Sequence, residues 1–171
     1  GRLKLVKSLE ERVRYLEKLV KQQENEIARQ KLEIERVQAA RECENLINRL
    51  EHYAEAGRWE DLANLFALKT PGVRVEEFGN DGYEGGEAVW KRWTVGHASG
   101  WRPGFMCINT TTTSVVEVAE DCRTARMVFI SPGVETSEWE GRWQAYWIWA
   151  KLGVDFIKED GRWKIWHYHV Y

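Results

Sequence analysis

The stretch "GRWKIWHYHVY", residues 161–171, decides the fold, because it reads as one β-strand that closes the chain after a turn. Side chains alternate between the two faces of a strand. One face is therefore predicted to carry Trp163, Ile165, His167, His169 and Tyr171. This face begins with apolar anchors and ends with two imidazoles, so we expect the strand to run from a packed core into a cavity.

The elements before this strand predict the fold class. Two helical patterns precede residue 70, and a short helix is expected at 85–93. Strands are predicted at 72–79, 105–118, 124–131, 144–158 and 162–171, with "SPGVETSEWEG" as a linking segment and the Asn80-Asp81-Gly82 turn after the first strand. Helices followed by a run of strands are typical of an α+β fold. We expect a curved antiparallel sheet with helices against one face.

The first 40 residues carry a heptad repeat. Position a holds Val6, Val13, Val20, Ile27 and Ile34, and position d holds Leu9, Leu16, Gln23, Gln30 and Val37. Such a seam predicts a coiled-coil arm over residues 1–40 and a homo-oligomer, either dimer or trimer. Residues 41–171 are then the globular domain. The alternative is an amphipathic helix that folds back on its own domain.

Composition excludes several partners and cofactors. The formal charge of −2 gives no reason to expect nucleic acid. No stretch is apolar enough for a membrane span and no signal peptide is recognisable, so a cytoplasmic location is predicted. Three cysteines at irregular spacing fit neither a disulfide framework nor a zinc site. "GNDGYEGG" lacks the context of a phosphate loop, so no phosphate cradle is expected. A metal site is possible in principle, because His167, His169 and a carboxylate such as Glu55 or Glu135 could supply three ligands, but the spacing does not require one and no metal is assigned.

A resemblance to a known superfamily rests on the order of several motifs. A helix, "GRWEDL", a short strand, "YEGGEAV" and a meander ending in "EDGRWKIWHYHVY" resemble the nuclear-transport-factor-2-like superfamily and its SnoaL-like branch. The resemblance covers about residues 40–171. It implies a cone, in which a bent sheet wraps helices and leaves a deep pocket. The superfamily contains isomerases, dehydratases, cyclases, lyases and binding modules, so fold alone does not fix the activity.

Particular enzymes of the superfamily suggest a catalytic carboxylate. The opening helix is similar to that of bile acid 7α-dehydratases. In these enzymes and in scytalone dehydratases, an acidic residue precedes the Trp of "W-x-x-L" by four positions, which here makes it Glu55 before Trp59. Their histidine on the first long strand has no counterpart in 109–114. The end of the chain looks more like lyases of aromatic catabolism, including one that releases formaldehyde from lignin-derived diarylpropanes.

The predicted chemistry is acid/base catalysis without a cofactor. An imidazole titrates near neutrality, so it can accept or donate a proton during loss of water or formaldehyde. We predict His169, His167 and Glu55 as the catalytic groups. Tyr53, Tyr83 and Asn109 are predicted to hydrogen-bond the substrate.

Ten tryptophans in 171 residues indicate an aromatic ligand. The predicted substrate-binding residues in this group are Trp90, Trp93, His97, Trp101, Trp149 and Tyr171. The expected function is that of a lyase acting on a bulky hydroxylated aromatic compound. The alternatives are a non-catalytic ligand-binding or assembly module, and an isomerase or cyclase. The tryptophans of the 144–158 strand fit a subunit interface equally well.

Overall fold

The structure is a computed structural model that describes residues 2–77 and 82–171, with side chains from residue 8 onward. Three predicted features fall outside this description: the side chain of the heptad residue Val6, residues 78–79 of the predicted strand 72–79, and the Asn80-Asp81 turn. The chain divides into two compact units, Gly1–Val37 and Gln38–Tyr171.

The first unit is helical. Helix α1 spans Arg2–Glu55, and no proline or glycine interrupts it. Its described apolar heptad side chains are about half exposed: Leu9, Val13, Leu16, Val20, Ile27, Ile34 and Val37. None of the described helices is long and apolar enough to cross a membrane.

The second unit is α+β, which confirms the predicted fold class. Its helices are the end of α1, α2 (Trp59–Ala63) and α3 (Gly86–Lys91), followed by a π-helical turn, Arg92–His97, and a 3₁₀ turn, Ala98–Gly100. Its described strands are β1 (Arg74–Glu77), β2 (Tyr83–Glu84), β3 (Cys107–Asn109), β4 (Thr112–Val118), β5 (Thr124–Trp139), β6 (Arg142–Glu159) and β7 (Arg162–Val170).

The described strands form one sheet in the order β2-β1-β7-β6-β5-β3, with β4 also paired to β5. The sheet is mixed, which corrects the all-antiparallel prediction. Strand β1 runs parallel to β7, with Val75 opposite Tyr168. All other pairs are antiparallel. The parallel pair places the end of β1 beside the end of the chain.

The segment predicted as a loop at 131–141 is mostly strand. Strand β5 continues through Pro132 and Gly133 as far as Trp139, and it pairs with β6 along its whole length. The hairpin then turns at Glu140 and Gly141, which have φ of 49° and 75°. Two successive positive φ values suit the tight turns that join long antiparallel strands. Glycine and proline were therefore misleading here, because the long pairing with β6 outweighs their local preference.

A β-bulge in β7 changes the face assignment of the closing strand. Ile165 pairs with Phe156, and His167 pairs with the adjacent residue Asp155. Trp166 is therefore an extra residue in β7 that has no pairing partner in β6. An inserted residue reverses the alternation beyond it. Trp163 and Ile165 are buried before the bulge, whereas Tyr168 and Val170 are buried after it. His167 and His169 therefore lie on the outer face, and the prediction that they continue the face of Trp163 and Ile165 is wrong.

The core lies between the helices and the inner face of the sheet. The second half of α1 contributes an apolar stripe that includes Cys43, Ile47, Leu50 and Ala54. Phe66, Phe129 and Phe156 are among the largest fully buried side chains. This packing places α1 against the concave side of the sheet, where a small space remains.

Candidate active site

An interior cavity of about 90 Å³ lies between α1 and the inner face of the sheet. Apolar side chains from α1, β6 and β7 form much of its wall, among them Leu50, Ile148 and Val170. The polar or ionisable side chains on the wall include Glu51, Glu77, His97, Cys107, Asn109 and Glu135. Several titratable groups in one apolar cavity are typical of an active site.

Glu51 is the buried carboxyl group of the cavity. It follows Cys43 and Ile47 at intervals of four residues, so α1 aims it at the core. Only 8% of the residue is exposed. Burial, with the nearby negative charges of Glu135 and Glu55, raises the pKa of Glu51 to about 7. A carboxyl with such a pKa can both donate and accept a proton at neutral pH.

Glu135 lies in a network of hydrogen bonds on the opposite wall. Its Oε1 accepts a hydrogen bond from Asn109 Nδ2 at 2.9 Å and from Cys107 Sγ at 3.5 Å. Its Oε2 accepts from Tyr146 Oη at 3.3 Å. Burial, and then the charge of Glu135, raises the pKa of Cys107, so this thiol stays protonated as a donor. The network fixes the orientation of Glu135 and Asn109.

Gly133 allows Asn109 to reach this network. The two residues are paired across β3 and β5, and a Cβ at Gly133 would lie 1.9 Å from Asn109 Oδ1 and 2.6 Å from Ile108 O. We expect Gly133→Ala to displace Asn109 and to lower the free energy of unfolding by about 1–3 kcal/mol. Chemical denaturation measures this loss. In the control Gly153→Ala the nearest atom is 3.4 Å away, and an equal loss in both variants would contradict the prediction.

His97 is held between two indole rings. Its ring stacks on Trp59 at 5.4 Å and on Trp93 at 4.8 Å between centroids. His97 Nε2 lies 3.9 Å from Glu77 Oε1, which is beyond hydrogen-bond distance but close enough for strong electrostatic attraction to an imidazolium. The π-helical turn supplies both Trp93 and His97, so their spacing along the chain sets the stack.

Glu77 is the charged partner of this ring. Arg92 donates from Nε to Glu77 Oε2 at 2.8 Å and also from Nη2. Burial alone would raise the pKa of Glu77, but the His97 imidazole and the Arg92 guanidinium outweigh burial and leave this pKa below its ordinary value. Glu77 is therefore an ionised carboxylate at neutral pH.

Four polar atoms on the cavity wall are buried without a hydrogen-bond partner among the described residues. They are Trp59 Nε1, Trp93 Nε1, His97 Nε2 and Asn109 Oδ1. Buried polar atoms in folded proteins are normally satisfied. A polar ligand could therefore accept hydrogen bonds from the two indole N–H groups and donate one to the amide oxygen of Asn109. The imidazole nitrogen of His97 can act as a donor or as an acceptor.

The predicted catalytic residues lie outside the interior cavity, and only two of them are brought together: His167 and His169 line a separate pocket of about 720 Å³ that does not include Glu55. His167 Nδ1 lies 2.9 Å from Asp155 Oδ2, and His169 Nδ1 lies 2.6 Å from Glu76 Oε2, both on the outer face. The side chain of Glu55 is 35% exposed and lies 3.4 Å from His52. Neither histidine lines the cavity, and Glu55 lies one helical turn beyond the buried Glu51.

Of the predicted substrate-binding residues, three line the cavity: Trp93, His97 and Asn109. Trp101 contacts the edge of Trp59, with centroids 6.0 Å apart, and so lies beside the wall. The others lie outside the cavity lining: Tyr53, Tyr83, Trp90, Trp149 and Tyr171. Tyr53 lies under the guanidinium of Arg58, while Tyr171 stacks on His169.

Sequence reasoning missed Glu51 and Glu77, and it considered Glu135 only as a possible metal ligand. The signal for Glu51 was present, because a carboxyl group interrupts the apolar stripe Cys43-Ile47-Glu51. Glu135 fell in the segment predicted as a loop, and Glu77 had no distinguishing local pattern. Within residues 2–77 and 82–171, no three His, Cys, Asp or Glu side chains are arranged to hold a metal ion.

Comparisons with solved structures show the fold. A proposed scytalone dehydratase from Novosphingobium aromaticivorans DSM 12444 is 18% identical, with a TM-score of 0.62 over 76% of this chain and 80% of that chain. LinA is 14% identical, with a TM-score of 0.67 over 82% and 89%. An NTF2-like protein with a cystatin-like fold, also from Novosphingobium aromaticivorans, is 17% identical, with a TM-score of 0.60 over 84% and 85%.

Curated proteins gave no match. The family model of the SnoaL-like domain, in contrast, matches residues 35–169. This range contains the sheet and the cavity wall except for Val170, and it includes each of the polar or ionisable side chains described on the wall. The chain therefore belongs to the SnoaL-like domain family.

Proposed function

We propose that the chain is a cofactor-independent lyase that removes water or formaldehyde from a hydroxylated aromatic compound in the interior cavity. The observation that supports this most is Glu51, a buried carboxyl whose pKa of about 7 suits proton transfer at neutral pH. The SnoaL-like family includes dehydratase-like and isomerase or cyclase enzymes, and this supports an enzyme of the same general kind.

Glu51 and His97 divide the proton transfers. For dehydration, neutral His97 accepts a proton from the carbon next to the one that bears the hydroxyl. The electrons of that C–H bond form the C=C bond, the C–O bond breaks, and protonated Glu51 gives its proton to the departing oxygen, which leaves as water. The charge of Glu77, 3.9 Å from His97, stabilises the imidazolium that forms.

Loss of formaldehyde needs the same two groups. His97 then takes the proton of a hydroxymethyl O–H, and the adjacent C–C bond breaks to release formaldehyde. The electrons of that C–C bond form a C=C bond to the neighbouring benzylic carbon. The hydroxyl of the benzylic carbon leaves as water with the proton of Glu51. Asn109 Oδ1 and the indole donors of Trp59 and Trp93 would hold the phenolic or hydroxyl groups of the substrate. The flat faces of these indoles suit an aromatic guest.

The cavity must enlarge to admit such a compound. Its volume of about 90 Å³ is smaller than the ~150 Å³ cavity that binds benzene in an engineered protein. Trp101 contacts Trp59 and Phe105, with centroids 6.0 Å and 5.3 Å apart, next to the cavity wall. We expect Trp101 and Phe105 to move aside together when substrate enters.

A non-catalytic ligand-binding module is the second candidate function. The four unpaired polar atoms on the cavity wall favour it, because they require only a ligand and no reaction. Turnover distinguishes the two functions, since a binding module leaves its ligand unchanged.

Comparison of two histidines tests the proposed lyase. Hydroxylated phenolic compounds, including phenolic dimers, are incubated with the protein, and water loss or formaldehyde release is followed by mass spectrometry. We expect His97→Asn to lower kcat by ~10²–10⁴-fold, and we expect the outer-face control His167→Asn to retain kcat within a few-fold. Equal activity in both variants, or binding without turnover by the unaltered protein, would reject the lyase.

The arm is proposed to hold copies of the chain together. Its apolar a and d side chains are about half exposed from Leu9 to Val37, and a coiled coil would bury them. Gln23 and Gln30 at d leave the choice between dimer and trimer open. The cytoplasmic location stays a prediction.

A further inference from the structure

Three hydrogen-bond donors surround Glu135, and the strand register brings them together. On one side Cys107 is the direct partner of Glu135 across β3 and β5, and Asn109 lies two residues further along β3. On the other side Tyr146 is its direct partner across β5 and β6. Opposite and diagonal positions of an antiparallel sheet share a face, so all three side chains reach the carboxylate. An ionised carboxylate only accepts hydrogen bonds, and these neighbours supply the donors.

The network uses both N–H groups of the Asn109 amide. Asn109 Nδ2 donates to Glu135 Oε1 at 2.9 Å and to Cys107 Sγ at 3.4 Å. The thiol donates to the same carboxylate oxygen at 3.5 Å. Turning the amide over would place its oxygen against the carboxylate, and neither group could then donate. Glu135 therefore fixes the orientation of this amide and leaves its oxygen unused.

The unused oxygen is an acceptor on the cavity wall. Asn109 Oδ1 is buried without a partner among residues 2–77 and 82–171, and Asn109 lines the cavity. A neutral hydroxyl group can donate to this oxygen, whereas a methyl ether, a carbonyl or a phenolate has no hydrogen to donate. A ligand of the second kind would leave the buried amide oxygen unpaired, which weakens its binding.

The indole groups on the same wall also favour a hydroxyl. Trp59 Nε1 and Trp93 Nε1 are buried donors without a partner in the described part of the chain. A hydroxyl group both donates and accepts, whereas an ammonium group only donates. A hydroxylated aromatic compound can therefore donate to Asn109 and accept from the indoles.

We propose that Glu135 is a positioning residue that makes the cavity selective for a neutral hydroxyl on an aromatic compound. It acts through Asn109, because it holds the amide with only the oxygen free. This role rests on the proposed function, since it takes the cavity as the substrate site. It narrows the substrate to the un-ionised phenol and excludes the methyl ether and the phenolate.

Equilibrium binding of two matched probes tests this role. 4-Hydroxyacetophenone carries a hydroxyl donor, and in 4-methoxyacetophenone a methyl group replaces the hydroxyl hydrogen. Neither probe has a hydroxyl on a saturated carbon, so neither can undergo the proposed reaction. Isothermal titration calorimetry, at a pH where the phenol is un-ionised, measures both dissociation constants. We expect the unaltered protein to bind the hydroxyl probe at least tenfold more tightly.

Glu135→Gln should reduce this preference to threefold or less, because glutamine both donates and accepts and no longer holds the Asn109 amide in one orientation. Tyr146→Phe is the matched control. It removes the hydrogen bond to Glu135 Oε2 and leaves the bond from Asn109 to Oε1, so the preference should stay within twofold of that of the unaltered protein. Turnover is not the readout. Burial and then the charge of Glu135 raise the pKa of Glu51, so Glu135→Gln would also alter the proton donor.

A preference that persists in Glu135→Gln would overturn this role of Glu135. So would an equal loss in Tyr146→Phe, because disorder of the network would then explain both variants. The unaltered protein gives a result that depends on the folding of no variant: equal affinity for the two probes, or no binding of the hydroxyl probe, would reject the proposed selectivity. The expected preference in a protein without turnover would support the role of Glu135 and reject only the lyase.

Discussion

Glu51→Gln is expected to lower kcat by ~10²–10⁴-fold at pH 7 with little change in KM. Glutamine keeps the shape and polarity of the protonated carboxyl but cannot release a proton to the departing oxygen. Substrate binding depends mainly on Trp59, Trp93 and Asn109, so KM should be preserved. Steady-state kinetics with a substrate found among the phenolic compounds measures both constants.

The pH dependence gives a second signature of Glu51. Its protonated form is the proposed donor, so kcat should fall as pH rises through about 7, the pKa to which burial and neighbouring carboxylates raise this group. Glu51→Gln should lose this limb of the profile. Glu55→Gln is the matched control, because its side chain is partly exposed one turn further along α1, and kcat should stay within tenfold. A large loss in Glu55→Gln with normal turnover in Glu51→Gln would reverse the assignment.

The same carboxyl should make the protein less stable at alkaline pH. The pKa of Glu51 is about 7 in the folded chain and 4.5 as its ordinary value. The folded state therefore binds more protons between these values, and the free energy of unfolding falls as pH rises from about 4.5 to about 7. The difference corresponds to about 3 kcal/mol, at 1.36 kcal/mol for each pKa unit.

Glu51→Gln is accordingly expected to be more stable than the unaltered protein at pH 8, by as much as about 3 kcal/mol, and similar to it near pH 4. Urea denaturation at both pH values, at one protein concentration, measures the two differences. Glu55→Gln should show a much smaller difference, since solvent reaches its carboxyl group. A stability gain in Glu51→Gln that is equal at both pH values would show that charge burial is not its cause.

The closing strand shows how far the sequence alone predicts this fold. Its apolar anchors and the turn before it indicated the correct element, and helices followed by strands indicated the α+β class. The bulge at Trp166 was not visible, because alternation counts residues and does not reveal an inserted one. Both histidines were therefore assigned to the wrong face, although their strand was correctly predicted.

The cavity shows a different limit. Trp93, His97 and Asn109 were selected for their chemistry, and the fold does bring these residues to one cavity. Glu51 could have been found, because a carboxyl in an apolar helical stripe is unusual. Glu135 could not, since its place on the inner face depends on β5 continuing through Pro132 and Gly133. That continuation results from pairing with β6, a contact between segments that local preference does not encode.

The extra residue at Trp166 has an evolutionary consequence. Loss of the single codon for Trp166 would restore simple alternation and leave the four later side chains on their present faces, because the inward Ile165 would then be followed directly by the outward His167. Straightening the strand without a deletion would instead bring His167 and His169 inward and move Tyr168 and Val170 outward. Relatives that lack one residue here would therefore present the same chemistry to the interior, although an alignment without a gap would pair their inward residues with outward ones.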